Sequence, residues 1–369
     1  VIEHKWLELL KYLQDRTHEF EYIESIVELL NGKVVFLNNQ FGNVNTINTP
    51  QFIDWIEHEA FSAVLNDVFK VQNFTETEIN SLFNALISTK LYQLALSLVI
   101  NNKGVIDTAE FDIKRGIILQ HLGESEQAEI AFYNAISNSP KNYLGHFHLG
   151  YIRLTQGDTE QAVKCFTECT QLAPDFVGGF QNLAGCHYQA SEFEQAIDSC
   201  IQVYKIDPTV TACYVTAISS FLALKQLERA KVWLDRARVH QIETIELNRL
   251  RGIWAHQSQH DPEAILALSE YLEARPEDID ILAIRAQALA ADGQWEPLLI
   301  DLKVLLELDP HDAWSLEYLF LANFHTQRWA QAEVAMSQLS KISTHFKATY
   351  RSQMDEIRKQ EAIVIVDIQ

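Results

Sequence analysis

The sequence predicts an all-α fold: an α-solenoid superhelix of helix-turn-helix repeats, led by an irregular helical region that includes one small hairpin or loop. Two observations carry this expectation. Pro140, Pro174 and Pro208 stand 34 residues apart, and Pro276 and Pro310 keep the register two and three steps past Pro208, with Ile242 at the step between. Ala128, Ala162, Ala196, Ala230 and Ala264 keep the same interval. Self-similarity at a fixed period of roughly 20–50 residues marks repeats that stack to bury one continuous core. The 369 residues are therefore not divided into two or three separate domains, as length alone would suggest.

Apolar residues make up 47% of the chain, ample for such a core, and the formal net charge is −21. That excess argues against a nucleic-acid partner, which needs clustered Lys and Arg to displace counterions, and against adsorption to anionic lipid. It fits the solvated outer faces of helices. No apolar run approaches the ~18–20 residues of a bilayer span, and the first residues lack the basic, apolar and small-residue order of a signal peptide. The chain is expected to be soluble and cytoplasmic, with no membrane insertion. Its five cysteines, Cys165, Cys169, Cys186, Cys200 and Cys213, are odd in number and lie inside helical patterns. They fit reduced, buried thiols better than a disulfide framework.

Residues 1–75 form the irregular region. Apolar side chains recur at helical spacing over 3–14 (Trp6, Leu7, Leu10, Leu13) and 18–30 (Phe20, Ile23, Val27, Leu30). Asn31-Gly32 stops the second of these helices. Between Lys33 and Pro50, the β-prone runs 34–37 and 44–47 flank an Asn/Gly turn, so residues 33–50 are expected as a loop or small hairpin. Its asparagines, Asn38 to Asn48, suit an inserted turn first and a recognition loop second. A helix over about 51–69 follows, carrying Phe52, Trp55, Ile56, Phe61, Leu65 and Val68. Residues 76–108 hold two further helical patterns with the size of a repeat but not its signature. They are expected as a degenerate pair that starts the stack, since terminal repeats are commonly atypical.

From 109 to 346 the pattern becomes specific, in seven units. The eighth position is small in Gly116, Gly150, Ala184, Gly252 and Ala286, with Ile218 and Phe320 as exceptions; the twentieth is alanine except at Leu298. Small residues let the two backbones of a hairpin approach, while Phe132, Phe166, Leu234, Leu268 and Leu302 at the twenty-fourth position fill the adjoining space. Gly123, Gly157 and Gly293 fall between the helices, where positive φ is required. Ser191 with Glu194 fits a capping box; Asp158 and Asp261 fit N-caps, the latter before Pro262 at a first helical position. The prolines at position 32 end each second helix. A capping helix is expected over 347–360.

This arrangement resembles the tetratricopeptide repeat family, whose 34-residue pattern is Trp-x2-Leu-Gly-x2-Tyr followed by Ala, Phe, Ala and Pro. The resemblance covers residues 109–346 and is best from Tyr143 to Phe176, with Leu149-Gly150, Gly157, Ala162, Phe166 and Pro174; His146 takes the aromatic position and Cys169 that of the second alanine. Units six and seven depart most, through Pro297, Leu298 and Phe320. The resemblance implies a right-handed superhelix whose concave wall is built mainly by first helices, with positions 2, 5, 9 and 12 of each unit facing the groove. Those positions supply Phe147, Tyr151 and Leu154; Gln181 and Tyr188; Glu246, Arg249 and His256; Asp280 and Gln287; and Trp314, Glu317, Leu321 and Phe324. Phe147, Tyr151, Gln181 and Tyr188 form the preferred site, with Asn182 beside them and Arg249, Trp314 and Glu317 as further candidates. Aromatic side chains there would hold an extended peptide or a helix at little entropic cost. Their alternative use, for Tyr151 and Phe324 above all, is packing against the adjacent unit. Two ligand modes of the family do not carry over. Lys114, His148 and Asn182 are too weak a set for a carboxylate clamp, and the sugar-transferase asparagine ladder keeps only Asn182.

Catalytic motifs are not found. His58-Glu59 is followed by Ser62 where a zinc protease needs its second histidine. Cys165 and Cys169 stand four apart, with His146, His148 and His187 in neighbouring units, a spacing that could ligate zinc, but Cys169 and Cys200 fall at the packing positions of their units. Asp278-Ile279-Asp280 sits at a unit boundary where acids cap helices. No phosphate-binding loop or nucleophile triad appears, so no metal and no cofactor are implied.

At the end of the chain, residues 361–369 include the run Ala-Ile-Val-Ile-Val-Asp-Ile at 362–368, a buried-strand composition. It is expected either as a strand folded back on the stack or, by preference, as the start of a further domain. The leading functional expectation is a non-catalytic scaffold that binds a protein or peptide partner in its concave groove. The alternative is a recruiting domain of a larger enzyme, for example a transferase, whose catalytic domain follows. A weaker third makes the chain itself an enzyme through His and acidic residues of its first third.

Overall fold

The structure, a computed structural model, describes residues 74–88, 90–342 and 345–367. The helices expected over 3–14, 18–30 and 51–69 and the loop or hairpin at 33–50 lie outside the described residues. Among those described, every regular element is a helix, eighteen in all. They fall into two compact units, Val1–Cys186 and His187–Gln369.

The first unit contains α1 (Glu76–Ser88), α2 (Tyr92–Asn101), α3 (Thr108–His121), α4 (Ser125–Asn138), α5 (Tyr143–Thr155), α6 (Thr159–Leu172) and most of α7 (Val177–Gln189). The second holds the end of α7, then α8 (Phe193–Ile206), α9 (Thr211–Ala223), α10 (Leu227–Val239), α11 (Ile245–Gln257), α12 (Asp261–Ala274) and α13 (Ile279–Asp292). It continues with α14 (Trp295–Leu308), α15 (Ala313–His325), α16 (Trp329–Ile342), α17 (His345–Thr349) and α18 (Arg351–Asp367). From α1 to α6, and again from α8 to α18, each helix packs on its successor. First helices of neighbouring hairpins also touch, as in α3 with α5, α9 with α11 and α11 with α13. This is the order of a helical-hairpin solenoid, in which each repeat contacts only its neighbours.

The hairpins close through a small residue facing a large one. A Cβ built on Gly116 would stand 2.5 Å from the Phe132 ring, one on Gly150 2.9 Å from Phe166, and one on Gly252 2.3 Å from Leu268. The three facing side chains are fully buried. Where the last hairpin carries Phe320 instead of glycine, its cluster partners are Ala332, Ala335 and the slimmer, adaptable Met336. The core passes from hairpin to hairpin: Phe132 and Ala135 of α4 pack with Ile152 of α5, and Leu268 and Leu272 of α12 with Ile281 and Leu282 of α13.

The turn inside each hairpin is left-handed at one residue, and that residue recurs with the repeat. Gly123, Gly157, Ser191, Lys225, Gln259, Gly293 and Gln327 all have φ between 55 and 81°. Around Lys225, Gln226 N donates to Phe221 O at 2.9 Å and Lys225 N to Leu222 O at 3.0 Å. That pair of bonds is the Schellman closure of a helix end. Only the glycines disclose this position by residue type. Between hairpins, the second helices end two residues before Pro140, Pro174, Pro208, Pro276 and Pro310. At the step occupied by Ile242 the chain instead leaves α10 through a left-handed Gln241 (φ 56°).

Three expectations need correction. Ser191 is the left-handed residue and not an N-cap; Glu192 precedes α8, and its carboxylate lies 2.6 Å from His187 Nδ1. Asp261 lies within the first turn of α12, after His260, and pairs with His256 Nδ1 at 2.9 Å. Asp158 does cap, accepting from Gln161 N at 3.1 Å. The terminal run expected as a strand is helical as far as Asp367. A helix already begun at Arg351 meets no Gly or Pro there, and adding a residue to an existing helix costs far less than nucleating one, even for β-branched residues.

A buried ion pair ties three helices of the second unit. Arg285 of α13 donates Nε to Asp301 Oδ2 at 2.9 Å and Nη2 to Oδ1 at 2.6 Å, while its Nη1 reaches Ser269 Oγ of α12 at 3.2 Å. Asp301 is 2% exposed. The bidentate fork satisfies a carboxylate that would otherwise be costly to bury.

Two substitutions test the hairpin geometry. Gly252→Val should destabilise the protein by about 1–3 kcal/mol through overpacking against Leu268, whereas Gly185→Ala, where a Cβ meets nothing within 4 Å, should stabilise by about 0.5–1 kcal/mol; chemical denaturation reads both. Lys225→Gly should relieve the left-handed turn and stabilise by about 1 kcal/mol, seen as a higher melting temperature.

Candidate functional site

Phe147 is half-buried on α5, its ring edge-on to Phe176 at 5.1 Å, to Phe166 at 5.8 Å and to His148 at 5.2 Å. A Cβ on Gly178, in the first turn of α7, would stand 3.5 Å from it. Phe147 therefore ties α5 to Phe166 of α6 and to Phe176, just ahead of α7. One helical turn further along α5 stands Tyr151, 45% exposed. One turn along α7 stand the exposed Gln181 and the half-buried Asn182, whose Nδ2 donates to Gly178 O at 2.8 Å. The first unit thus places four of the sequence-derived candidates on two neighbouring first helices. Phe147 anchors them, and Tyr151 and Gln181 are presented to solvent.

The remaining candidates belong to the second unit. Tyr188 is 38% exposed, with its ring edge-on to Phe193 at 5.6 Å. Arg249 is engaged within α11, donating Nε to Glu246 Oε1 at 2.7 Å. Trp314 lies 4.5 Å from the Tyr318 ring and packs against the cluster of Ala286, Leu298 and Leu302. Glu317 accepts a hydrogen bond from the Tyr350 hydroxyl, whose ring rests on Phe320 at 5.2 Å. Burial, with Glu317 second, pushes the Tyr350 phenol well above its ordinary value. Arg249 stands two hairpins before Trp314 and Glu317, so these three do not form one cluster.

The polar trio of Lys114, His148 and Asn182 is occupied by internal contacts. Lys114 is buried with its Nζ 4.4 Å over the Phe83 ring and 3.1 Å from Glu110. His148 stacks flat on Phe132 at 5.0 Å, and burial, helped by His121, lowers its pKa to about 4. The imidazole is neutral at pH 7. Burial raises the thiols, Cys169 and Cys186 to about 11 and Cys213 to about 12, with Cys165 and Cys200 raised as well. Such thiols are poor nucleophiles and poor metal ligands at neutral pH. Among the described residues, no three His, Cys, Asp or Glu side chains group to hold a metal ion, and no helix is long and apolar enough to cross a membrane.

Two features of the second unit escaped the sequence reading. Asp301 stands in a column otherwise filled by Ala131, Cys165, Ser199, Trp233, Ala267 and Ala335; a carboxylate at that register position was the available signal for the buried ion pair. On the outer helices, Val232, Leu266, Ile300 and Val334 occupy one position of four successive units, each at least half exposed. Their 34-residue spacing was visible in the sequence; their exposure was not.

The architecture and its presented side chains define a helical-hairpin repeat protein. One of its hairpins is similar to the tetratricopeptide repeat: residues 145–176 match the family model of that description. Among solved structures, pilF of Pseudomonas aeruginosa is similar over 61% of this chain and 99% of its own, at 14% identity and a TM-score of 0.50, a likeness of fold. A tetratricopeptide repeat protein from Parabacteroides merdae covers 68% of this chain and 99% of its own, at 14% identity and a TM-score of 0.46. YrrB, described as a TPR protein with an unusual peptide-binding site, covers 51% and 97%, at 17% identity and a TM-score of 0.45. No curated protein sequence matches the chain.

The buried imidazole gives a pH signature. Folded His148 takes up a proton only near pH 4, whereas the unfolded group does so near its ordinary 6.5. The unfolded state therefore binds more protons between those values, and stability falls as the pH drops through that window, by about 3 kcal/mol in all. His148→Phe should remove most of this slope in melts recorded from pH 7 to pH 4.

Proposed function

We propose that the protein is an interaction scaffold that holds a protein or peptide partner on the surface formed by its first helices. The observation that carries this reading is Tyr151: a large aromatic 45% exposed on a rigid helix, one turn from the Phe147 anchor, with the exposed Gln181 on the next first helix. Exposed aromatics on a pre-ordered backbone give contact area without a large ordering cost. Of the preferred candidates, Tyr151, Gln181 and Tyr188 are exposed, while Trp314 and Glu317 serve packing at the last hairpin. Tetratricopeptide hairpins also suit the role physically, because neighbour-only packing leaves a long face of first helices uncovered by the fold itself.

The test is binding to an immobilised random-peptide array. Peptides selected by the native chain should bind the Tyr151→Ala/Gln181→Ala variant about tenfold more weakly or worse, with helical content and melting temperature unchanged. Phe147→Ala should lower both binding and melting temperature. Selected peptides that bind the double variant equally well would remove the proposed surface.

A further inference from the structure

At the end of the second unit, α16 and the pair α17–α18 enclose a cleft of about 610 Å³. This is within the roughly 300–1,000 Å³ range of ligand sites. Lys347 of α17 and Arg351 and Arg358 of α18 line it. The half-buried Met354 gives the cleft an apolar surface, with the buried Met336 behind it, and the acids present are Glu333 and Asp355. Asp355 is matched by Arg358 at 3.5 Å. Lys347 and Arg351 are exposed and make no ion pair to a described residue.

In a chain of net charge −21, carrying 50 acidic against 29 basic residues, a free Lys and Arg at one cleft do not follow from composition. Two cationic heads in a cleft with an accessible methionine match a ligand with alternating carboxylates and apolar side chains. Arginine forks onto carboxylates, and the flexible thioether of Met354 adapts to varied apolar groups.

We infer that this cleft is a second binding site, which takes a short acidic segment of a partner protein with an aliphatic or aromatic residue between its carboxylates. Carboxylates engage Lys347 and Arg351, and the apolar side chain rests on Met354. The site does not depend on Tyr151 or Gln181, so it stands or falls separately from the first-helix surface.

The experiment measures fluorescence anisotropy of the full chain with a labelled peptide Glu-Leu-Glu-Phe-Glu-Leu and with its glutamine counterpart. The acidic peptide should bind, lose affinity as salt rises, and bind the Lys347→Gln/Arg351→Gln variant at least about tenfold more weakly. Lys347→Arg should retain binding, and the Tyr151→Ala/Gln181→Ala variant should bind as the native chain does. Both cation substitutions are at exposed positions, and melting temperature is read alongside. Equal binding of the glutamine peptide, no binding at millimolar concentration, or equal loss in Lys347→Arg and Lys347→Gln would overturn the inference. So would displacement by equimolar inorganic phosphate, which would mark a plain anion site, or self-association abolished by the double variant, which would make the occupant a second copy.

Discussion

The structure depends on one constraint: two helix backbones in each hairpin must come close enough to share a buried side chain. Gly116, Gly150 and Gly252 meet it by leaving no Cβ in the path of Phe132, Phe166 and Leu268. The neighbouring helix then rests on the same buried ring or branched chain, so the core is threaded through the stack and not gathered at one centre. Where the constraint is met by different residues, as at Phe320 with Met336, volume is redistributed across the pair and the hairpin survives.

Polar groups are arranged around that apolar thread. Where a charge enters it, as Asp301 does, the charge is matched by a forked guanidinium and a hydroxyl from adjoining helices. Elsewhere, imidazoles are used as flat surfaces: His148 on Phe132, His325 on Trp295 at 4.4 Å, and His121 on Tyr92 at 4.7 Å. These histidines belong to the packing. The candidate surfaces lie where side chains are neither threaded nor matched, at Tyr151 and Gln181 in one unit and at Lys347 and Arg351 in the other.

Much of the fold was legible because the repeat forces like positions to do like work. Proline and glycine announce the turns by what their backbones allow, and a small eighth position announces close approach. Three kinds of feature were not legible. Ser191, Lys225, Gln259 and Gln327 adopt the left-handed turn without being residues that favour it, since the helices on either side impose it. The β-branched end of the chain looks like a strand by composition, yet cooperativity with the helix before it prevails. At the candidate site, Phe147 and Tyr151 lie on α5 and Gln181 and Asn182 on α7, but register carries no information about competing partners. It did not disclose that Glu317 is held by Tyr350, Arg249 by Glu246 and Trp314 by the core.

The close pair inside each hairpin, such as Gly116 with Phe132 or Gly252 with Leu268, joins residues sixteen positions apart in the chain. The contacts that define the architecture are therefore short-range in sequence, and the entropy of closing each loop is small. A chain built this way has no need to find distant partners before it gains stability. Any hairpin can form first and template the next, so folding advances from several starting points and the order of assembly is set by local hairpin strength.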